Sequence, residues 1–227
     1  MLIRLSSGVT AMAHYSMEQA LMGEDGALHQ LARLDADIAR ALKDLGPPPD
    51  RTLPQGFATL CRTIIGQQIS TKAAAAVWSR MQEAKLDQAE NAGAASMETL
   101  RGVGLSRMKA EYVKGLADAI ADGRLDFDHL ASLKGQDATR YLTALRGIGD
   151  WTADNYRLFV LLDMDAWPYN DLALQEGMKI LKSLNTRPDG KTMQRMGDDW
   201  QPYRGAGALM LWHVYARYRH AATITDI

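Results

Sequence analysis

Hydrophobic residues recur every three or four positions along most of the chain. Over residues 29–45 this spacing predicts one amphipathic helix, which the sequence Gly-Pro-Pro-Pro at 46–49 ends. The same spacing over 55–66 predicts a second helix. A third is predicted to begin at Ser70, a residue type that commonly accepts a hydrogen bond from the first turn of a helix.

Two later segments share the pattern Leu-Arg-Gly-apolar-Gly, at 100–104 and at 145–149, and a helical pattern follows each. We interpret both as helix–turn–helix corners, because two copies are too few for a repeat array. Further helices are predicted over about 170–184 and from Arg204 to about Tyr218. Since no stretch alternates with period two, the predicted fold class is all-α.

Composition and charge narrow the class of protein. Hydrophobic residues make up 47% of the 227 positions, and the formal net charge is −1. This charge does not favour nucleic-acid binding, but a local cationic face is sufficient for it. Because Cys61 is the one cysteine in the sequence, an internal disulfide and an iron–sulfur cluster are excluded.

The N-terminal part carries no targeting pattern. Residues 1–17 lack a sustained apolar run, so we expect no signal peptide, no membrane span and an intracellular protein. We expect residues 1–26 to form a loosely ordered extension.

The corner at 145–151 has a second interpretation. Gly147 and Gly149 permit a tight turn and a close approach of another backbone, and the amides from Asp150 to Thr152 then point outward, where a phosphate oxygen can accept them. A helix corner that only needs close packing explains the same glycines. Asp150 also argues against a phosphate, because like charges repel.

Asp171 lies twenty residues after Trp151, directly after the sequence Pro-Tyr-Asn at 168–170. Taken alone, it is an ordinary helix cap. Three further segments accompany it: Gly-Gln-Gln-Ile-Ser at 66–70, Gly-Leu-Ser at 104–106 leading to Lys-Ala at 109–110, and Trp-Gln-Pro-Tyr-Arg at 200–204. Over residues 28–219 this layout resembles the helix-hairpin-helix/Gly-Pro-Asp superfamily of DNA glycosylases, and within it the alkylated-base branch, the 3-methyladenine DNA glycosylase II group.

The resemblance implies a fold and a partner. We expect one catalytic domain over 27–227, in which two interleaved helical subdomains flank a DNA-binding cleft. The middle lobe is expected over about 90–160, and the N- and C-terminal helices are expected to form the other lobe. The implied partner is double-stranded DNA that contains damaged bases, bound by a monomer.

The resemblance also implies a reaction: hydrolysis of the N-glycosidic bond of cationic alkylated purines, such as 3-methyladenine and 7-methylguanine, in base excision repair. Asp171 is the implied catalytic carboxylate, which stabilises the positive charge that develops on the sugar and orients or deprotonates a water. Trp151 stands where members that cleave the DNA backbone carry a Schiff-base lysine. The expected enzyme is therefore monofunctional.

Aromatic residues are the implied walls of a pocket for a flipped-out cationic base. We assign Trp151 and Trp212 to this pocket, with Trp167 and Tyr169 as further walls. At position 172 the family has an aromatic residue and this chain has Leu172, which bears on the substrate range. The other tryptophans, Trp78 and Trp200, are interpreted as core residues.

The remaining assignments concern contacts with DNA. Gln68 is placed at the wedge that fills the gap left by the flipped base, although residues 66–70 also fit an ordinary helix start. The predicted DNA-binding residues are Gln67, Gln68, Ser70, Gly147, Gly149, Asp150 and Thr152. By resemblance, the carbonyls of Thr143, Leu145 and Ile148 are predicted to bind Na⁺ or K⁺ at the hairpin, and no other cofactor is expected.

Three alternatives remain open at this point. The first is a glycosylase of the same fold for another damaged base. The second is a non-catalytic helix-hairpin-helix module that binds the DNA backbone, and the third is a purely structural helical protein. Asp171, with aromatic residues around it, argues against the second, because backbone binding requires neither.

Overall fold

The computed structural model describes the backbone of residues 16–225 and the side chains of residues 16–219, and every regular element within this part is an α-helix. The predicted all-α class is therefore confirmed. The helices are α1 (Met17–Met22), α2 (Ala27–Leu34), α3 (Ala36–Leu45), α4 (Phe57–Gly66), α5 (Thr71–Glu83), α6 (Ala89–Ala94), α7 (Met97–Gly102), α8 (Arg107–Ala121), α9 (Phe127–Ser132), α10 (Gly135–Thr143), α11 (Asp150–Phe159), α12 (Leu172–Leu181), α13 (Gly190–Asp198) and α14 (Arg204–Thr225).

The helix starts show which local signals were informative. Ser70 caps α5, since its hydroxyl accepts a hydrogen bond from the amide of Ala73 at 3.2 Å. The prediction of one helix over 29–45 was wrong, because the chain turns at Asp35. The backbone of Asp35 is extended, and its carboxylate accepts hydrogen bonds from the amides of Asp37 and Ile38, which starts α3 as a new helix.

The buried side chains form two hydrophobic cores. The first core runs from Phe57 to Tyr156, and the second combines residues 17–41 with residues 158–214. Both α4 and α5 contribute to the first core, through residues such as Ile64 and Met81, so the middle lobe begins at α4 rather than near residue 90. The N-terminal helices α2 and α3 pack on α14.

The N-terminal boundary also differs from the expectation. Residues 1–15 of the predicted extension lie outside the described residues. Met17 and Leu21 of α1 are fully buried in the second core. The folded part therefore includes residues before position 27, where the sequence pattern had placed its start. Within the described part, no helix is long and apolar enough to cross a membrane.

Helix α11 connects the two cores. Tyr156 belongs to the first core and Leu158 to the second. Between them the Arg157 side chain, which is 5% exposed, donates to the carboxylates of Asp154 at 2.9 Å and Asp163 at 2.7 Å. Burial raises the pKa of Asp154 to about 6, against the lowering effect of Arg157. This buried cluster fixes the orientation of α11.

Asp35 ties three parts of the second lobe together. Besides capping α3, its carboxylate accepts hydrogen bonds from Lys182 Nζ at 2.6 Å and from the indole Nε1 of Trp200 at 2.7 Å. Burial by itself would raise the pKa of the Asp35 carboxyl, but the hydrogen bonds from Lys182 and Trp200 outweigh it and lower the pKa. The ionised form therefore stabilises the fold.

We predict that Asp35→Asn lowers the free energy of unfolding at pH 7 by about 1 to 3 kcal/mol, because asparagine keeps the helix cap but leaves Asp37 as the one carboxylate partner of Lys182. The pKa of Asp35 is lowered on folding, so this stabilisation is fully present above about pH 4 and is lost as the pH falls further. Urea unfolding at several pH values measures it.

The difference between Asp35→Asn and wild type should shrink at acidic pH, and a difference that is constant down to pH values well below 4 would contradict this prediction. Asp122→Asn is the matched control, because Asp122 pairs with Arg124 at an exposed site. That control should leave the unfolding free energy nearly unchanged.

Candidate active site

The Asp171 carboxylate is held by three elements of the fold. Its position at the start of α12 lets Oδ1 accept a hydrogen bond from the amide of Leu174 at 2.9 Å. Oδ1 also accepts from the indole Nε1 of Trp212, on α14, at 3.2 Å. Oδ2 accepts from the indole Nε1 of Trp151, on α11, at 3.0 Å. Two of the tryptophans selected from the sequence thus meet at the selected aspartate.

Each of these tryptophans has its own support. The Trp212 ring stacks on Phe159, with ring centroids 5.5 Å apart and planes 27° apart. Trp151 is 36% exposed, and its backbone carbonyl accepts a hydrogen bond from the Asn155 side chain at 2.6 Å. Phe159 and Asn155 were not among the residues predicted from the sequence. Asn155 lies one helical turn after Trp151, whereas no local pattern relates Phe159 to Trp212.

The other two predicted pocket walls both contact α13. Trp167 is 5% exposed, its indole N–H donates to the carbonyl of Met193, and its ring packs edge-on against Trp200 in the second core. Its assignment to the base pocket was therefore wrong. Tyr169 is half-buried, and its ring lies against Gly190 at the start of α13. The place of Tyr169 in the base pocket stays a prediction.

The remaining aromatic predictions have mixed outcomes. Trp200 is buried in the second core, and Trp78 is half-buried, packs against the first core and also lines a separate cavity. Leu172, next to Asp171, is 62% exposed and packs on neither core. It therefore leaves an open surface beside the carboxylate.

A cleft of about 780 Å³ lies between the turn after α4 and the hairpin before α11. Gln67 joins the two sides, since its side-chain amide donates to the carbonyl of Gly147 at 3.2 Å and to the hydroxyl of Thr152 at 3.1 Å. Most of the predicted DNA-contacting residues line this cleft. Its lining residues are Gly66, Gln67, Gln68, Met108, Lys109, Tyr112, Gly147, Ile148, Gly149, Trp151, Thr152 and Asn170.

Gln68 has an unusual backbone. Its φ of 57° lies in the left-handed region, which a residue with a side chain adopts at a cost, and its side chain is exposed in the cleft. Lys109 of α8 stabilises this turn, because its Nζ donates to the carbonyls of Ile65 and Gln67, both at 2.7 Å. Burial lowers the pKa of Lys109. The sequence motif contained Lys109 but gave no indication of this role.

The two hairpin glycines serve different purposes. Gly147 has a φ of 94°, and a Cβ at this position would lie 2.4 Å from Cγ of Tyr112. At Gly149 φ is −99°, and a Cβ would meet no atom within 4 Å. The fold itself therefore requires glycine at 147 but not at 149. Gly149 begins α11 without a side-chain cap, and Asp150 follows it as an exposed residue.

The remaining predicted residues are Ser70, at the start of α5, and Thr143, Leu145 and Ile148, which precede α11. Ser70 is exposed and its hydroxyl is engaged in capping α5. The carbonyl of Leu145 accepts a hydrogen bond from the amide of Ile148 at 3.2 Å, and the Thr143 hydroxyl donates to the carbonyl of Thr139. In the part of the chain that is described, no three His, Cys, Asp or Glu side chains cluster as they would around a metal ion.

The chain belongs to the HhH-GPD superfamily of base excision DNA repair proteins, because the model of that family matches residues 61–202. The chain is 27% identical over 175 residues to the DNA-3-methyladenine glycosylase of Bacillus subtilis (strain 168). That alignment covers 71% of this chain and 58% of the Bacillus subtilis protein, so it spans somewhat over half of that relative.

Two solved structures share the fold over most of their length. One is the DNA-3-methyladenine glycosidase of Bacillus halodurans, with a TM-score of 0.75 and 30% identity, covering 87% of this chain and 92% of that one. The other is the 3-methyladenine DNA glycosylase of Schizosaccharomyces pombe in complex with abasic DNA. It has a TM-score of 0.74 and 27% identity, and covers 82% of this chain and 94% of that one.

The two glycines make a matched pair for mutation. We predict that Gly147→Ala destabilises the protein by about 2 to 4 kcal/mol, because it combines positive φ with overlap against Tyr112. Gly149→Ala should cost less than about 1 kcal/mol, since only the preference for glycine over alanine at a helix start is lost. Urea unfolding without DNA measures both, and equal losses would contradict the distinction.

Proposed function

We propose that this protein is a monofunctional DNA glycosylase that hydrolyses the N-glycosidic bond of cationic alkylated purines, such as 3-methyladenine and 7-methylguanine, in double-stranded DNA inside the cell. The observation that carries the proposal is the Asp171 carboxylate, held by the indole N–H groups of Trp151 and Trp212. Membership in a base excision repair family and the likeness to 3-methyladenine glycosylases support it.

The hydrogen bonds at Asp171 define what the carboxylate can do. Each carboxylate oxygen has two acceptor positions. Oδ1 uses both, toward Leu174 and Trp212, whereas Oδ2 uses one, toward Trp151. The free position on Oδ2 is the one we assign to the sugar or to the attacking water. There the carboxylate stabilises the developing oxocarbenium charge and accepts a proton from the water.

The aromatic rings suit a cationic base better than a neutral one. The face of an indole attracts a cation by roughly 0.5 to 2 kcal/mol. Phe159 covers one face of Trp212, so we assign the base to the opposite face, with Trp151 as the second ring. Methylation at N3 or N7 makes a purine cationic and weakens its glycosidic bond. The protein therefore has to lower the activation barrier for bond cleavage by less than it would for an unmodified purine.

Contacts with DNA are proposed at the cleft. The space beside the Cα of Gly149 is open, and no side chain caps the first amides of α11. A phosphate oxygen can therefore approach these amides closely. We assign Gln68 to the gap left by the flipped nucleotide, a role that fits its exposed side chain and left-handed backbone. Na⁺ or K⁺ on the carbonyls of Thr143, Leu145 and Ile148 remains part of the proposal.

The described residues at the hairpin and in the cleft favour hydrolysis over lyase chemistry. Trp151 stands at the hairpin position of the Schiff-base lysine, and its ring carries no nucleophile. The cleft does contain Lys109, but its Nζ donates hydrogen bonds to the backbone carbonyls of Ile65 and Gln67. These bonds direct the amino group to the backbone and not to a DNA sugar. Water is therefore the proposed nucleophile, and an abasic site is the proposed product.

The direct test is release of free bases from DNA. We predict that the wild-type protein, incubated with duplex DNA treated with a methylating agent, releases 3-methyladenine or 7-methylguanine, which chromatography separates and identifies. Untreated duplex is the control and should release no base above the spontaneous rate.

Different outcomes distinguish the alternatives. Tight binding to methylated duplex without base release would support a non-catalytic DNA-binding module. Release of another damaged base alone would retain the glycosylase and reject the alkylated-purine assignment. A protein–DNA adduct trapped by borohydride would contradict the monofunctional mechanism, since only a Schiff base is trapped in this way.

A further inference from the structure

A second cavity, of about 580 Å³, shares no lining residue with the cleft. The loop after α3 forms one wall, through residues 51–54, and α4, α5 and the end of α11 form the others. We call it the arginine pocket, defined by Arg51, Arg62, Thr63, Trp78, Gln82 and Phe159. Its volume is that of a pocket for a small organic ligand.

The charge of the arginine pocket lacks internal compensation. Arg51 and Arg62 both line it, and among the described residues neither guanidinium makes an ion pair or a hydrogen bond. Both residues are exposed, and none of the residues that line the cavity is acidic. Two unpaired guanidiniums at one cavity favour an anionic ligand, because a guanidinium matches the geometry of a phosphate.

The other lining groups favour an aromatic ligand. Trp78 and Phe159 are half-buried and both contribute to the walls, while the nearby hydroxyl of Thr59 is already engaged with the carbonyl of Pro54. Aromatic walls together with cationic groups are the combination that proteins use to stack a nucleic-acid base and hold its phosphate. Gln82 adds an exposed amide that can bond to a base edge.

We propose that the arginine pocket binds a nucleotide, with its base against Trp78 and Phe159 and its phosphate on Arg51 and Arg62. This site is distinct from the proposed place of reaction, since neither Asp171 nor Trp151 nor Trp212 lines it. Phe159 lines it and stacks on Trp212, which donates to Asp171. Two sources supply this chemistry: a free mononucleotide, or a nucleotide of the bound DNA. Nucleotide binding here is a property separate from base excision, so it can be measured without damaged DNA.

Calorimetric titration with deoxyadenosine monophosphate tests the site. Wild type should bind it saturably, and deoxyadenosine, which lacks the phosphate, should bind at least about tenfold more weakly. The double variant Arg51→Gln/Arg62→Gln should lose affinity by at least the same factor. Arg101→Gln is the matched control, because Arg101 is likewise exposed and unpaired, lies on α7 and should leave binding unchanged.

Two further measurements complete the test. Arg62→Lys keeps the charge and should retain part of the affinity, and thermal unfolding checks that every variant is folded. Affinity for an undamaged duplex identifies the source. If this affinity falls in the double variant but not in Arg101→Gln, a DNA nucleotide occupies the pocket. If the double variant binds the duplex as wild type does, a free nucleotide occupies it. Absence of saturable mononucleotide binding, or equal binding by wild type and the folded double variant, would overturn the proposal.

Discussion

The orientation of α11 is the constraint on which the site depends. This helix contributes Tyr156 to one hydrophobic core and Leu158 to the other, and the buried Arg157 cluster fixes it between them. Its first turn carries Trp151 and the hairpin amides, and its last residue, Phe159, supports the Trp212 ring. Because one rigid helix carries parts of both the cleft and the aspartate environment, these parts keep a constant spacing.

The same residues have structural and chemical roles at Asp171. As a helix cap the carboxylate uses one acceptor position, and the two tryptophans use two more, which leaves a single position on Oδ2. The indoles are therefore both ring surfaces for a base and donors that orient the carboxylate. This double use explains why tryptophan, rather than phenylalanine, suits both positions: only an indole combines a large ring face with an N–H group.

Periodicity and caps predicted several of the helices, because they are properties of nearby residues. Asp171 was selected through the resemblance, since its local sequence is that of an ordinary helix cap. Local signals did not reveal the helix break at Asp35, because the helical spacing of apolar residues continues across it from Leu31 to Leu45 although Asp35 caps a new helix. Nor did they separate Trp212 from Trp167, because both lie among apolar residues and only the packing of the second lobe directs one to Asp171 and the other to the core. The stacking of Phe159 on Trp212 is a long-range contact of the same kind.

The central claim is that the Asp171 carboxylate performs base excision, and Asp171→Asn tests it most directly. Asparagine keeps an acceptor for the helix cap, so thermal stability and affinity for duplex DNA should remain close to wild type. Excision of 7-methylguanine, measured under single-turnover conditions, should fall by about 100-fold or more. Asp189→Asn, at the cap of α13, is the matched control and should excise normally. Near-normal excision by folded Asp171→Asn would contradict the account.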